Sequence, residues 1–182
     1  IDAWSNHSSP NFSWSDPGDS GGSGVSYYQG YIDGVDQGNV ASGWHPTLSD
    51  GTHTIYIKSV DGVGFSNNSQ TFTFKIDTQD PTIVFGPLTP NPFNQMYESA
   101  ELQTTIADNL SGQIKCRAEI YTSSWELVRS INPYGSGFTP VGAKSFVWDG
   151  KNNAGDYVND GDYYFTVIAE DQATNLVGIS VW

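Results

Sequence analysis

Carboxylates dominate the side chains of this sequence that can do chemistry. Twenty Asp and Glu stand against seven Lys and Arg, and three histidines, His7, His45 and His53, accompany them. Hard oxygen donors carried on flexible loops are what Ca²⁺ requires. One such group is organised around the stretch Ile76-Asp77-Thr78-Gln79-Asp80-Pro81-Thr82. Asp77 and Asp80 lie in it, and Asp33, Asp36 or Asp50 before it and Asp108 or Asp171 after it are candidates to join them. Carboxylates crowded at a junction repel one another unless a cation bridges them. The competing reading is a set of solvated acids on a surface that is acidic throughout. The metal candidates are therefore Asp77, Asp80, Asp108 and Asp171, and Ca²⁺ is the cofactor they suit. A second group, Asp149, Asn153, Asp156, Asp160 and Asp162, superficially follows an EF-hand loop. Ala154 stands where that loop needs Gly and no Glu closes it, so Asx turns in a polar hairpin explain these residues without a metal.

Six Trp, ten Tyr and nine Phe form the other constellation. Trp44 with Tyr27 and Tyr31 is a candidate ligand patch, because Tyr27 and Tyr31 share a strand face if Tyr28 points inward. Exposed rings beside Asn, Asp and Gln grip sugar rings; the alternative is that the rings fill small cores. The sequence holds no HExxH, no Gly-Xaa-Ser-Xaa-Gly, no CxxC pair and no phosphate-cradling glycine loop. A glycosidase would also need a deep cleft, which modules this small seldom supply. No catalytic or cofactor-binding residue is assigned, and the chain reads as a non-enzyme.

These residues need elements to carry them. A length of 182 residues suits two small domains, and the net charge of −13 leaves nothing to neutralise a run of phosphates or to bind an anionic membrane surface. With one Cys no disulfide forms within the chain, and Cys116 falls on the apolar side of an alternating strand, as a buried small hydrophobe does. No apolar run is long enough to span a membrane. Without an initiator Met or a leader, the stretch reads as part of a longer chain. Abundant Gly, Ser, Asn, Thr and Tyr with scarce Lys is an extracellular composition. Sequons at Asn6, Asn11, Asn67 and Asn109 matter only in a host that glycosylates.

Period-two alternation and Gly/Asp/Pro turns predict strands throughout and no helix. In the first half they fall at 1–5, 9–15, 25–33, 41–48, 52–60 and 70–76, with a loop at 16–24 and a hairpin turn at Asp33-Gly34. In the second half they begin at Thr82 and recur at 100–107, 113–121, 125–131, 144–148, 162–169 and 176–182. Pro81 fixes its own φ and pushes Asp80 toward extended backbone, so a short stiff acidic linker separates domains 1–79 and 80–182.

Residues carrying the first half, Phe12-Ser13-Trp14-Ser15-Asp16-Pro17, Gly24-Val25-Ser26-Tyr27-Tyr28 and Asp50-Gly51-Thr52-His53-Thr54-Ile55-Tyr56, resemble bacterial Ig-like or fibronectin type III-like repeats. That resemblance implies Trp14 and Tyr28 as core aromatics. In the second half, Pro90-Asn91-Pro92-Phe93-Asn94, Ile120-Tyr121, Leu127-Val128-Arg129, Trp148-Asp149-Gly150 and Gly161-Asp162-Tyr163-Tyr164-Phe165 follow the order of the FlgD-type Ig-like domain. Related modules end many secreted bacterial proteins, including sorting domains of type IX secretion. The basic tail of the sorting form is missing from Gly178-Ile179-Ser180-Val181-Trp182, which fits the plain structural form. The expectation is an all-β chain of two tandem Ig-like/fibronectin III-like sandwiches in a secreted or cell-surface protein. They would act as non-catalytic spacer or interaction modules, with neighbouring domains of the same polypeptide as partners, and with a glycan or surface protein as a further candidate. A carbohydrate-binding accessory module of a polysaccharide-degrading enzyme and a Ca²⁺-stiffened adhesin segment are the rival readings.

Overall fold

The structure is a computed structural model that describes residues 3–16, 18–19 and 22–182. Ile1 and Asp2 of the expected opening strand, and Pro17, Ser20 and Gly21 of the expected loop, lie outside the described residues. The described residues are all-β, and the chain divides into compact units Ile1–Thr78 and Gln79–Trp182.

The first unit is built on one sheet of β1 (Ala3–Ser5), β2 (Val25–Ile32), β3 (Val35–Val40), β4 (Gly51–Asp61), β5 (Ser66–Asn68) and β6 (Phe72–Ile76). Its order is β1-β6-β4-β2-β3, with β5 also on β4, and β1 runs parallel to β6. The Asp33-Gly34 turn forms as expected: φ values of 51° and 77° are those of a two-residue hairpin turn, which matches strand twist. That turn creates β3, a strand the alternation did not announce because it is an exposed edge with no apolar face to repeat. Opposite the sheet, segments 9–15 and 41–48 pair as backbone at an isolated bridge between Phe12 and Trp44 instead of forming the expected strands. The ladder stops there because the Trp14 N–H and carbonyl both bond the Ser42 hydroxyl rather than another backbone group.

Between these layers lie Ile32, Ile55, Phe74 and Ile76, with Phe12, Trp44, Leu48 and Ile57 packed on them. Trp14 and Tyr28 do pack together, edge to face at 5.6 Å, but outside this cluster, and Trp44 is the tryptophan of the core. Trp44 reaches the sheet at Gly30, where an added Cβ would lie 2.6 Å from its Cζ3.

The second unit is a two-sheet sandwich. One sheet orders β10 (Leu127–Ile131), β9 (Gln113–Thr122), β13 (Tyr163–Glu170) and β14 (Leu176–Val181), with β11 (Thr139–Pro140) also on β9. The other orders β12 (Gly142–Trp148), β8 (Ala100–Ala107) and β7 (Thr82–Thr89). Alternate residues of β8, β9, β12 and β13 point inward: Leu102 and Ile106, Ile114 through Ile120 in steps of two, Phe146 and Trp148, and Phe165 through Ala169 in steps of two. Cys116 sits within this series, and burial pushes its thiol pKa up.

Gly30→Ala should force Trp44 off the sheet. We expect the first unit to lose about 1–3 kcal/mol of stability, the usual cost of overpacking, in a denaturant titration followed by tryptophan fluorescence. Unchanged stability would mean that Trp44 does not occupy this position.

Candidate functional site

The expected metal residues divide. Asp77 follows β6, is fully buried, and donates its backbone N–H to the Ser5 carbonyl at 2.9 Å. Asp80 is exposed. Asp50 serves its own unit, where one carboxylate oxygen accepts from the Thr78 N–H and hydroxyl.

Asp108 and Asp171 come together in the second unit, each just past the end of a strand, with carboxylate oxygens within 4.8 Å of one another. Asp108 Oδ1 accepts the N–H groups of Leu110 and Ser111, whereas its Oδ2 is buried with no hydrogen-bond partner. Asp171 is fully buried in the β13–β14 turn, and its two oxygens accept from the Asn175 backbone and side-chain nitrogens at 2.9 and 2.7 Å. Burial raises the Asp171 pKa, the Asp108 carboxylate raises it further, and the hydrogen bonds from Asn175 and Ala173 oppose them. A buried carboxylate oxygen left without a donor, beside a second buried acid, can be satisfied by a cation or by a proton shared between the acids.

In the Asp149–Asp162 loop the Asx turns fall at Asp149 and at Asn152, while Asn153 reaches a distant strand. Asn152 Oδ1 accepts from the N–H groups of Ala154 and Asp156, Asp149 Oδ1 from that of Lys151, and Asn153 Oδ1 from that of Ser130.

Tyr27, Tyr31 and Trp44 do not form one patch. Gly30 faces Trp44, so its neighbour Tyr31 must project from the other side of β2. There Tyr31 stacks on its cross-strand partner Tyr56, with centroids 4.5 Å apart and planes 6° from parallel. Tyr27 and Tyr31 share that outer face, whereas Trp44 belongs to the inner one.

Two arrangements escaped the sequence reading. In the first unit, His53 Nδ1 lies 2.7 Å from Asp33 Oδ2 and its Nε2 lies 2.9 Å from the Ser49 carbonyl. Both ring nitrogens face acceptors, so the imidazolium is the form that satisfies both. Burial pulls the His53 pKa down, but the Asp33 and Ser49 bonds outweigh it and the net shift is upward. For Asp33, burial pushes up and is outweighed by His53 and the Thr54 N–H and hydroxyl, leaving its pKa lowered. Twenty residues separate the partners, and no local motif marks the pair.

In the second unit a cleft of about 620 Å³ opens at the Pro90–Met96 turn and the Val158–Phe165 segment. Phe93, Trp148 and Tyr163 form a run of rings, each edge-on to the next, at 5.5 Å and 5.1 Å. The quoted segments Pro90–Asn94, Trp148–Gly150 and Gly161–Phe165 were legible as family landmarks, yet nothing in their spacing said that they meet.

Residues 94–173, within the second unit, match the family described as FlgD Ig-like domain. No curated protein matches the sequence. Among solved structures, dimeric latent PorU from Porphyromonas gingivalis is similar to all of the chain at 20% identity and a TM-score of 0.42. The chain spans 18% of that protein's length. The fibronectin(III)-like modules of Clostridium thermocellum CbhA are similar over 98% of this chain and 85% of theirs, at 14% identity and a TM-score of 0.45.

The His53–Asp33 pair makes a signed prediction. Because the folded pKa of His53 is raised above its ordinary 6.5, its contribution is complete below that value and is lost as pH rises through the folded pKa. Asp33, lowered below 3.8, contributes above that value and loses its contribution as pH falls through the folded pKa. The melting temperature of the first unit should therefore drop on the alkaline side of pH 6.5, and His53→Gln should flatten that drop. An identical alkaline profile in the variant would show that the pair contributes nothing. The effect is expected to be small, since the Asp33 side chain is 47% exposed.

Proposed function

We propose that the chain supplies two non-catalytic modules of a larger secreted or cell-surface protein, holding neighbouring domains at a set separation and presenting surfaces to partners. The observation that carries this reading is the FlgD Ig-like match over residues 94–173, in a chain whose two compact units each enclose a hydrophobic cluster of their own. A surface with thirteen net negative charges keeps such modules soluble and self-repelling. Stretched between two handles, the chain should unfold in two separate events. Their contour lengths should be about 260 and 350 Å, from roughly 3.4 Å per residue for units 1–78 and 79–182. A single event of the summed length would contradict the two-module reading.

A second reading has its own observation, the unpartnered buried Oδ2 of Asp108 beside the buried Asp171. In this reading Ca²⁺ binds Asp108 and Asp171, with Asp80 of the same unit a further carboxylate donor. A bound ion would relieve the repulsion between the acids and stiffen the segment that holds them. Calorimetric melts with excess Ca²⁺ and with EGTA should then differ. Saturation to a hundred times the dissociation constant adds about 2.7 kcal/mol, and Asp108→Asn should abolish the gain. Asp80→Asn, measured the same way, decides whether that carboxylate contributes. Superimposable melts of the unaltered chain would leave the shared proton as the account of the Asp108–Asp171 pair.

A further inference from the structure

We propose that the aromatic cleft of the second unit is a binding site for an uncharged oligosaccharide, an activity that goes beyond the spacer role. Its volume, about 620 Å³, lies within the range of small-ligand sites, roughly 300–1,000 Å³. Phe93 and Tyr163, each packed edge-on against the buried Trp148, give the cleft an apolar wall of the kind on which the C–H faces of a sugar ring pack. Next to it Tyr164 also lines the cleft, and Trp125, 57% exposed, stacks on Tyr164 at 4.6 Å with planes 3° apart.

The polar lining narrows the ligand class. Asn91, Asn159, Asp160 and Asp162 line the cleft, and their side chains make no hydrogen bond among the described residues. Carboxylates only accept, whereas amides both donate and accept. A ligand rich in hydroxyls, each both donor and acceptor, can answer that mixture. No Lys, Arg or His lines the cleft, so an anionic ligand would meet two carboxylates and no counter-charge.

The walls are also held in place before any ligand arrives. Gln95 Nε2 donates to the Val158 carbonyl at 2.8 Å, and the Val158 N–H donates to the Gly150 carbonyl at 3.0 Å. Tyr163 Oη donates to the Asn159 carbonyl at 2.8 Å, and Trp148 Nε1 to that of Lys151 at 2.9 Å. Gly150, at φ 72°, sits where a Cβ would lie 2.4 Å from the Gln95 Cβ, so only glycine lets the two loops close this tightly. Cross-bracing of this kind fixes the ring wall and the carboxylates relative to one another, which is what a site needs in order to bind without reordering.

The test is affinity electrophoresis of the whole chain through gels containing β-glucan, xylan, mannan or starch, with isothermal titration of the matching hexasaccharide. We expect retardation by at least one neutral glycan, insensitive to salt. Asp162→Ala and Asn91→Ala, both exposed positions whose loss spares the core, should each raise the dissociation constant at least tenfold. Tyr31→Ala, on the first unit's outer face, should leave it unchanged. No retardation by any of these glycans would overturn the proposal, as would retardation that both cleft variants leave intact. Binding of a lysine-rich peptide in place of the glycans, abolished by salt, would overturn it in favour of a cationic ligand.

Discussion

The second unit depends on one constraint, the strict alternation of β8, β9, β12 and β13. On these strands every buried inward side chain is apolar apart from Thr104, and the innermost, among them Leu102, Ile106, Ile120, Phe146 and Val167, are excluded from water altogether. Because side chains alternate with period two, slipping any of these strands by one residue would turn that whole set outward. Register is therefore specified by burial alone, with no disulfide. Once register is fixed, so are the residues that leave each end of each strand. The site geometry inherits its precision from the core.

The same constraint separates the two chemically suggestive places of this unit. Trp148 closes β12, Ala100 opens β8 and Tyr163 opens β13, and all three border the cleft. Asp108 follows the other end of β8 and Asp171 the other end of β13. Tyr163 and Asp171 are eight residues apart along the strand, or about 26 Å at 3.3 Å per residue. The carboxylate pair and the cleft therefore occupy opposite ends of one sandwich. Each can be altered through its own loops without disturbing the other.

What the sequence made legible follows the same logic. Ala100–Ala107 was readable to the residue because its face is buried along its whole length, and so was the apolar side that holds Cys116. β3 was not, because an exposed edge strand has no face to repeat and owes its place to the turn before it. Segments 9–15 and 41–48 looked like strands because Phe12 and Trp14 alternate, yet the Ser42 hydroxyl takes over the backbone bonds of Trp14 and ends the ladder. At the sites, the expected strand order named Asp77, Asp80, Asp108 and Asp171 together as candidate carboxylates. It could not say that Trp44 lies across the sheet from Tyr31, since that rests on a glycine at position 30 and on which way the strand turns it.

How each unit uses its aromatic rings bears on where a ligand would go. In the first unit they are largely turned on one another: Tyr31 on Tyr56, Trp14 on Tyr28, and Trp44 with Phe12 on the small aliphatic cluster. A stacked pair has already covered one face of each ring, so less of it remains to grip a partner, and the same holds for Trp125 on Tyr164 in the second unit. The second unit fills its core with aliphatic residues in strict alternation and needs only Phe146, Trp148 and Phe165 as fully buried aromatic volume. Phe93, Tyr163 and Tyr164 are left half-buried at the mouth of a braced cleft beside uncommitted carboxylates and amides. A core that can be completed by aliphatic residues releases its peripheral rings for recognition, and for that reason the second unit, not the more aromatic sheet before it, is the one equipped to hold a ligand.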